Sequence, residues 1–272
     1  MPKIALATCL NLYEPDNDQE MMLARFNEAG FDTCLAAWDD NQVEWSGFDG
    51  VVVRSTWNYF EHLPEFRAWV SAVDGVTVLM NPADEMFDNT DKRYLLELPR
   101  HCIPIVPTVI GQADHGFASK RVVVKPSVGA GSYLTRFFEA GDSARIAAHI
   151  EEIEQSGCEA LVQPYLESVE SGGERSLIWV DGEITHAIVK RPRFDGEDES
   201  VSDAQMPSNA DLAAAEPVMD LLTSKTLYAR IDFIVQDGKH LLSELEVVEP
   251  SLFLSQHPPA LDRLIDGVRK RI

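Results

Sequence analysis

The stretch Arg121-Val-Val-Val-Lys-Pro-Ser-Val-Gly-Ala-Gly-Ser132 decides how the rest of the chain is read. Three successive β-branched residues, Val122, Val123 and Val124, read as a buried strand. It delivers Lys125, and Pro126 cannot continue a ladder. The small residues Ser127, Gly129, Ala130, Gly131 and Ser132 follow, and Tyr133 to Phe138 reads as the returning strand. Strand, lysine, small-residue loop and strand lay backbone N–H groups over a polyphosphate. A glycine-containing hairpin with a surface lysine has the same local pattern, so the choice falls to the other segments.

The chain has 272 residues, with 23 basic residues against 45 acidic ones and a formal charge of −22. Such a surface repels nucleic acid and anionic membrane, and neither is expected as a partner. Basic residues beside small-residue loops are therefore informative. The four cysteines, Cys9, Cys34, Cys102 and Cys158, form no C-x-x-C pair, which argues against a zinc knuckle or a disulfide framework. No apolar run is long enough to span a membrane, and Met1 to Thr8 reads as a strand rather than a signal peptide. The expected location is a reducing cytoplasm.

Strands at Ile4–Cys9, Phe31–Trp38, Phe48–Val53 and Val76–Met80 alternate with helices ending near Gly30 and starting at Pro64. This order predicts a small parallel sheet with helices on both faces, whose strand-end loops are the usual ligand sites. Thr8 and the segment Arg54-Ser55-Thr56-Trp57 are thus candidates for a substrate carboxylate. A helix is expected to begin near Asn89, capped by Thr90 or Asp91. Lys92 in its first turn opposes the helix dipole and hints at a compensating anion. Pro164 breaks an edge-like strand over Glu159–Leu166, leaving backbone groups that suit an adenine edge, with Tyr165 and Leu166 sandwiching the ring.

Two hairpins close the chain. Arg175–Val180 and Glu183–Arg191 are joined by Asp181-Gly182, and the second strand runs into Lys190-Arg191-Pro192-Arg193, a candidate anion site. The run Asp195 to Asp203, with five carboxylates and no cation, is expected to be a mobile loop. A helix over Asn209–Leu222 contains Pro217, which suggests a kink or an early break. In the last hairpin, Asp232 lies inside an apolar strand, and Glu244 and Glu246 leave one face of its partner. Three such acids are costly without cations, and hard oxygen ligands suit Mg²⁺. Leu242, placed on that same face by simple alternation, makes a plain solvent face unsatisfactory.

These parts occur in the order used by the ATP-grasp superfamily, which the chain resembles over its whole length. Val124-Lys125-Pro126 and the loop after it resemble the phosphate-grasping segment. Gln163-Pro-Tyr-Leu166 resembles the adenine-binding linker of bacterial glutathione synthetases, and Glu174 falls at their ribose-binding acid. Lys190-Arg191-Pro192 resembles the basic strand end, and Asp232, Glu244 and Glu246 the metal-binding acids, with Glu246 where many relatives carry Asn. Ala7-Thr-Cys9, Arg54-Ser-Thr-Trp57, Asn89-Thr-Asp-Lys-Arg-Tyr-Leu95 and Glu246-Val-Val-Glu-Pro250 further resemble a branch that includes the O-ureido-D-serine cyclo-ligase of cycloserine biosynthesis.

The resemblance implies an α/β (α+β) ATP-grasp fold. A Rossmann-like pre-ATP-grasp domain over residues 1–88 would precede two α+β subdomains, 89–167 and 168–272, that clasp ATP. It implies an ATP-dependent carboxylate–amine ligase acting through an acylphosphate on small amino-acid-like substrates. ATP and one or two Mg²⁺ are the implied cofactors, and a homodimer is compatible with it. Lys190 and Arg191 would act on the reacting groups. Lys92, Lys125, Ser127, Gly129, Gly131, Ser132, Gln163, Tyr165, Leu166 and Glu174 would bind nucleotide. A non-catalytic ATP-binding protein and a small-molecule kinase on the same scaffold are the alternatives. The branch normally carries an Arg-containing, Gly-rich loop where this chain has its acidic run, which would favour a cationic or amine-bearing acceptor.

Overall fold

The computed structural model describes residues 1–111, 116–191 and 200–272. Strands β1 (Lys3–Thr8), β2 (Asp32–Ala37), β3 (Gly50–Ser55) and β4 (Val78–Met80) form a parallel sheet in the order β2-β1-β3-β4. Parallel neighbours need crossovers, and helices α1 (Gln19–Glu28) and α2 (Leu63–Asp74) supply two of them. Alternation sorts the strand residues between these helices. Ile4, Leu6 and Val52 pack with Met22 and Phe26 of α1, whereas Ala5, Ala7, Val51 and Val53 pack with Phe66, Trp69 and Val70 of α2. Gly30, in the left-handed region at φ +89°, lies just beyond α1.

The helix expected to begin near Asn89 instead ends there, as α3 (Ala83–Asn89). Lys92–Leu96 is a short 3₁₀ turn capped by Asp91, whose carboxylate accepts from the Arg93 N–H. A second sheet has the order β5 (Val109–Ile110), β8 (Ala160–Pro164), β6 (Val122–Pro126), β7 (Arg136–Phe138). Helix α4 (Ser143–Gln155) covers it with Ile146, Ile150 and Ile153. Two expectations change here. The β8 strand is internal, flanked by β5 and β6. The strand expected from Tyr133 starts only at Arg136, because Gly131, Ser132 and Leu134 take φ of +57°, +62° and +47° and the chain turns instead.

After the short helix α5 (Ser168–Gly172), the third sheet is antiparallel. Its members are β9 (Glu174–Val180), β10 (Glu183–Arg191), β11 (Ser200–Val201), β12 (Tyr228–Gln236) and β13 (Lys239–Glu246), in the order β11-β10-β9-β12-β13. Both Asp-Gly turns have positive φ at both residues, which matches the twist of the strands they join. Helix α6 (Asn209–Met219) covers this sheet and stops short of Leu222, with Pro217 in its last turn. The segment Pro192–Glu199, with Arg193 and most of the acidic run, lies outside the described residues.

The closing helix α7 (Pro258–Arg271) ties the ends of the chain together. Its Leu261, Leu264 and Val268 share one core with Ile4 and Leu6 of β1 and with Ile178 and Val180 of β9. Asn81 clamps the same junction from a left-handed conformation at φ +73°. Its Nδ2 donates to the carbonyls of Tyr228 and Val247 at 2.8 and 2.6 Å, and its Oδ1 accepts from the Leu227 N–H at 2.7 Å. Among the described residues no helix is long and apolar enough to cross a membrane.

Candidate active site

The three acids of the last hairpin converge. One oxygen from each of Asp232, Glu244 and Glu246 lies within 4.8 Å of the others. Register explains how. Asp232 pairs with Glu244 but Phe233 pairs with Leu242, so Ser243 is an extra residue that bulges from the ladder. The bulge corrects the simple alternation. Leu242 turns to the opposite face with Phe233 and enters the core, and Leu241, opposite Ile234, takes its place on the acid face. Ser243 is also used, its hydroxyl donating to Glu174 Oε1 at 2.5 Å and to the Asp232 carbonyl at 3.0 Å.

Cations fill the space between the acids. Arg230, opposite Glu246 in the ladder, donates through Nε to Asp232 at 3.0 Å and through Nη2 to Glu246. Lys190 reaches across from β10 and sits 2.9 Å from both Asp232 and Glu174. Gly173 makes this approach feasible. At φ +71° a Cβ there would meet Val189 Cγ1 at 2.5 Å and the Lys190 carbonyl at 2.6 Å.

From the other side, Lys92 Nζ lies 3.2 Å from Glu244 and donates to the Gly129 carbonyl at 2.5 Å, while its N–H donates to the Ser127 carbonyl at 2.7 Å. The 3₁₀ turn, the small-residue loop and the acid face are thereby one unit. Burial works against ionisation throughout. At Glu244 the charges of Lys92 and Lys125 overcome it and lower the pKa. At Asp232 those of Arg230 and Lys190 do the same and hold the carboxyl well below its ordinary range. At Glu246 burial wins and pushes the pKa up to about 8.

The remaining candidates divide. Lys190 faces the acids, but Arg191, next along the strand, is exposed. Gln163 is buried with its amide donating to Thr108 Oγ1 at 2.8 Å. The free backbone group expected after Pro164 is not free at Tyr165, whose N–H donates to the Arg121 carbonyl at 2.8 Å. The Tyr165 ring lies under the Arg121 guanidinium at 4.3 Å and beside Phe137.

In the first domain, Ser55 donates to Thr8 Oγ1 at 3.0 Å, and the Thr56 hydroxyl is buried without a partner among the described residues. Arg54 differs most from expectation. A register shift opposite Ala7 and Thr8 makes it the extra residue, and its guanidinium is buried. It donates to the Pro250 carbonyl at 2.9 Å and lies near Asp16 and Asp18. Trp57 Nε1 donates to the Glu249 carbonyl at 3.3 Å. Two residues absent from the expected set thus belong here: Arg230, whose position two before Asp232 on one strand was the available signal, and Glu249.

Known proteins resemble this chain along its whole length. Residues 4–81 match the family model described as the N-terminal domain of the D-cycloserine synthetase DcsG. The cycloserine biosynthesis protein DcsG of Streptomyces lavendulae is 29% identical over 294 residues, covering 99% of this chain and 98% of that protein. The crystal structure of D-cycloserine synthetase DcsG superimposes with a TM-score of 0.85 at 28% identity, covering 99% of both chains. The D-alanine–D-alanine ligase of Bacillus anthracis complexed with ATP shares the fold, with a TM-score of 0.74 at 15% identity over 99% of this chain and 96% of that one. The chain has the ATP-grasp fold. Within it, the likeness along the full length is to DcsG.

Proposed function

We propose that the chain is an ATP-dependent carboxylate–amine ligase that joins small amino-acid-like substrates through an acylphosphate. The observation that carries this reading is the meeting of Asp232, Glu244 and Glu246 with Lys92 and Lys190 beside the loop that follows Lys125. An all-carboxylate set of hard oxygens suits Mg²⁺, one or two ions of which would be held by the three acids and neutralise β- and γ-phosphate charge.

In this reading Lys92, Lys125 and Lys190 bind phosphate oxygens. Backbone N–H groups from Val128 to Ser132 cover them, with the Ser127 hydroxyl beside them, as the left-handed turns at Gly131 and Ser132 permit. Gln163, Tyr165 and Leu166 border the adenine, and Glu174 the ribose. Arg191 serves at the rim, and Thr8, Ser55, Thr56 and Trp57 line the carboxylate subsite, with Arg54 fixing that wall through Pro250. The γ-phosphoryl group passes to the substrate carboxylate, and an amine then attacks the acyl carbon and releases phosphate. The protein contributes position and charge rather than a covalent intermediate. Closure of the small-residue loop keeps water from the acylphosphate.

The test is ADP and phosphate release from ATP with Mg²⁺ and amino acids of both hands, offered singly and in pairs. The reading expects release that depends on a particular acid and amine, an amide product, and loss of turnover in Lys125→Ala. A stable phosphorylated product would identify a kinase instead, and ATP binding without turnover would identify a non-catalytic protein.

A further inference from the structure

Glu249 is the buried carboxylate that the reaction as described leaves unused. It is only 7% exposed, and no ion pair joins its side chain to a described residue. Its main chain, by contrast, is fixed. Trp57 donates to its carbonyl at 3.3 Å and Arg54 to the next carbonyl, that of Pro250, at 2.9 Å. The residue stands where the first domain meets the acid face, since Trp57 and Arg54 hold its carbonyl and the next one three residues after Glu246. A carboxylate so deeply buried, with no ion-pair partner among the described residues and in a wall built to hold its backbone, calls for a cationic partner that arrives with the ligand.

We propose that Glu249 binds the ammonium group of the acceptor substrate and holds it beside the site where the acylphosphate forms. This inference rests on the ligase reading and names the substrate chemistry of one subsite. Three features favour an ammonium over a further metal ion. Glu249 follows Glu246 by three residues beyond the end of β13 and is not among the acids whose oxygens cluster. Those acids already share Arg230, Lys190 and Lys92. The neighbouring wall of Thr8, Ser55 and Thr56 offers hydroxyls, which suit the rest of a small amino-acid-like molecule better than a hydrated cation.

The experiment compares the wild-type chain with Glu249→Gln, which keeps size and hydrogen-bonding capacity and removes the charge. The acceptor probes are alanine and serine of both hands, which arrive as ammonium ions, and hydroxylamine, which is neutral at the assay pH and traps acylphosphates. Loss of a charge-assisted contact predicts a rise of about tenfold or more in KM for the ammonium acceptor. Hydroxylamine trapping, KM for ATP and the Mg²⁺ half-saturation should stay within about twofold. An unchanged acceptor KM overturns the inference while leaving the ligase reading intact. A shifted Mg²⁺ half-saturation also overturns it and makes Glu249 a metal ligand. Absence of wild-type turnover with every acceptor overturns the ligase reading itself and this inference with it.

Discussion

Two buried aspartates in the third sheet region sit in opposite electrostatic situations. Asp211, near the start of α6, is 2% exposed and fully answered. It accepts from Arg175 Nε at 2.7 Å and from the Ser208 N–H and hydroxyl at 2.7 and 2.8 Å, and pairs with His240 Nε2 at 2.9 Å. Asp232 is equally buried and holds Arg230 and Lys190. Around it, however, lie Glu174, Glu244, Glu246 and Glu249, and burial pushes Glu246 up to about 8 and Glu249 up to about 7. The first cluster is closed, a staple between helix and sheet. The second is short of positive charge by design of its neighbours, and only a cation brought from outside completes it.

Substitutions should separate the two clusters sharply. Asp232→Asn is expected to lower ATP turnover by about a thousandfold or more, because a charge that would anchor Mg²⁺ in the proposed site is gone. Its thermal midpoint should hold or rise, since Arg230 and Lys190 keep Glu246 and Glu174 as partners. Asp211→Asn should do the reverse. It leaves the partly buried Arg175 beside an uncharged amide inside the closed cluster and costs about 3 kcal/mol of stability in a urea titration. Turnover per folded molecule should change less than about twofold. Were Asp232→Asn the unstable variant and Asp211→Asn the inactive one, the division between staple and site would be reversed.

The same contrast explains what could be read from the chain beforehand. The parallel sheet, both Asp-Gly hairpins and helix α4 were legible because alternation, turn chemistry and helical spacing are local. So were the acids, since Asp232 interrupts an apolar strand. The bulge at Ser243 was not, because a register shift depends on the partner strand, and it changed the face of Leu242. Arg54 misled for a similar reason: a guanidinium after a strand suggests a ligand, whereas an extra residue in β3 turns it inward to Pro250. Glu249 escaped attention because its significance comes from burial without an ion-pair partner among the described residues, which no sequence pattern displays. The short 3₁₀ turn at Lys92 replaced an expected helix once α3 had taken the residues before it.

A third buried group, His186, supplies a pH test of the closed kind of site. It is fully buried, stacked on His257 with ring centroids 4.9 Å apart, and its Nδ1 pairs with the Thr185 hydroxyl at 2.9 Å. Burial first, and then the neighbouring His257, depress its pKa from 6.5 to about 4. The unfolded chain therefore binds the proton more readily than the folded one. Stability from this group is fully present above pH 6.5 and is lost as pH falls toward 4. The loss is about 3 kcal/mol, and His186→Gln should flatten the fall in chemical-denaturation midpoints over that window. An equally steep fall in the variant would place the acid sensitivity elsewhere.

The smallest effect is expected where a buried side chain supports the site without touching the acids. His149 of α4 is 2% exposed, and its Nε2 lies 2.8 Å from the carbonyl of Leu134, the residue that turns the small-residue loop back toward β7. Its Nδ1 lies 2.9 Å from Glu152, which also holds Arg136 at the start of β7. The contact fixes the rear of the loop, while Lys92 fixes its front through Gly129. Removing one such bond is worth about 1 kcal/mol. His149→Ala should therefore raise KM for ATP about fivefold with little change in kcat, and His149→Gln, which can still donate to Leu134, should recover part of it. A fall in kcat with KM unchanged would show that the rear of the loop takes part in the phosphoryl-transfer step, and the boundary between closed support and open site would have to be drawn through α4.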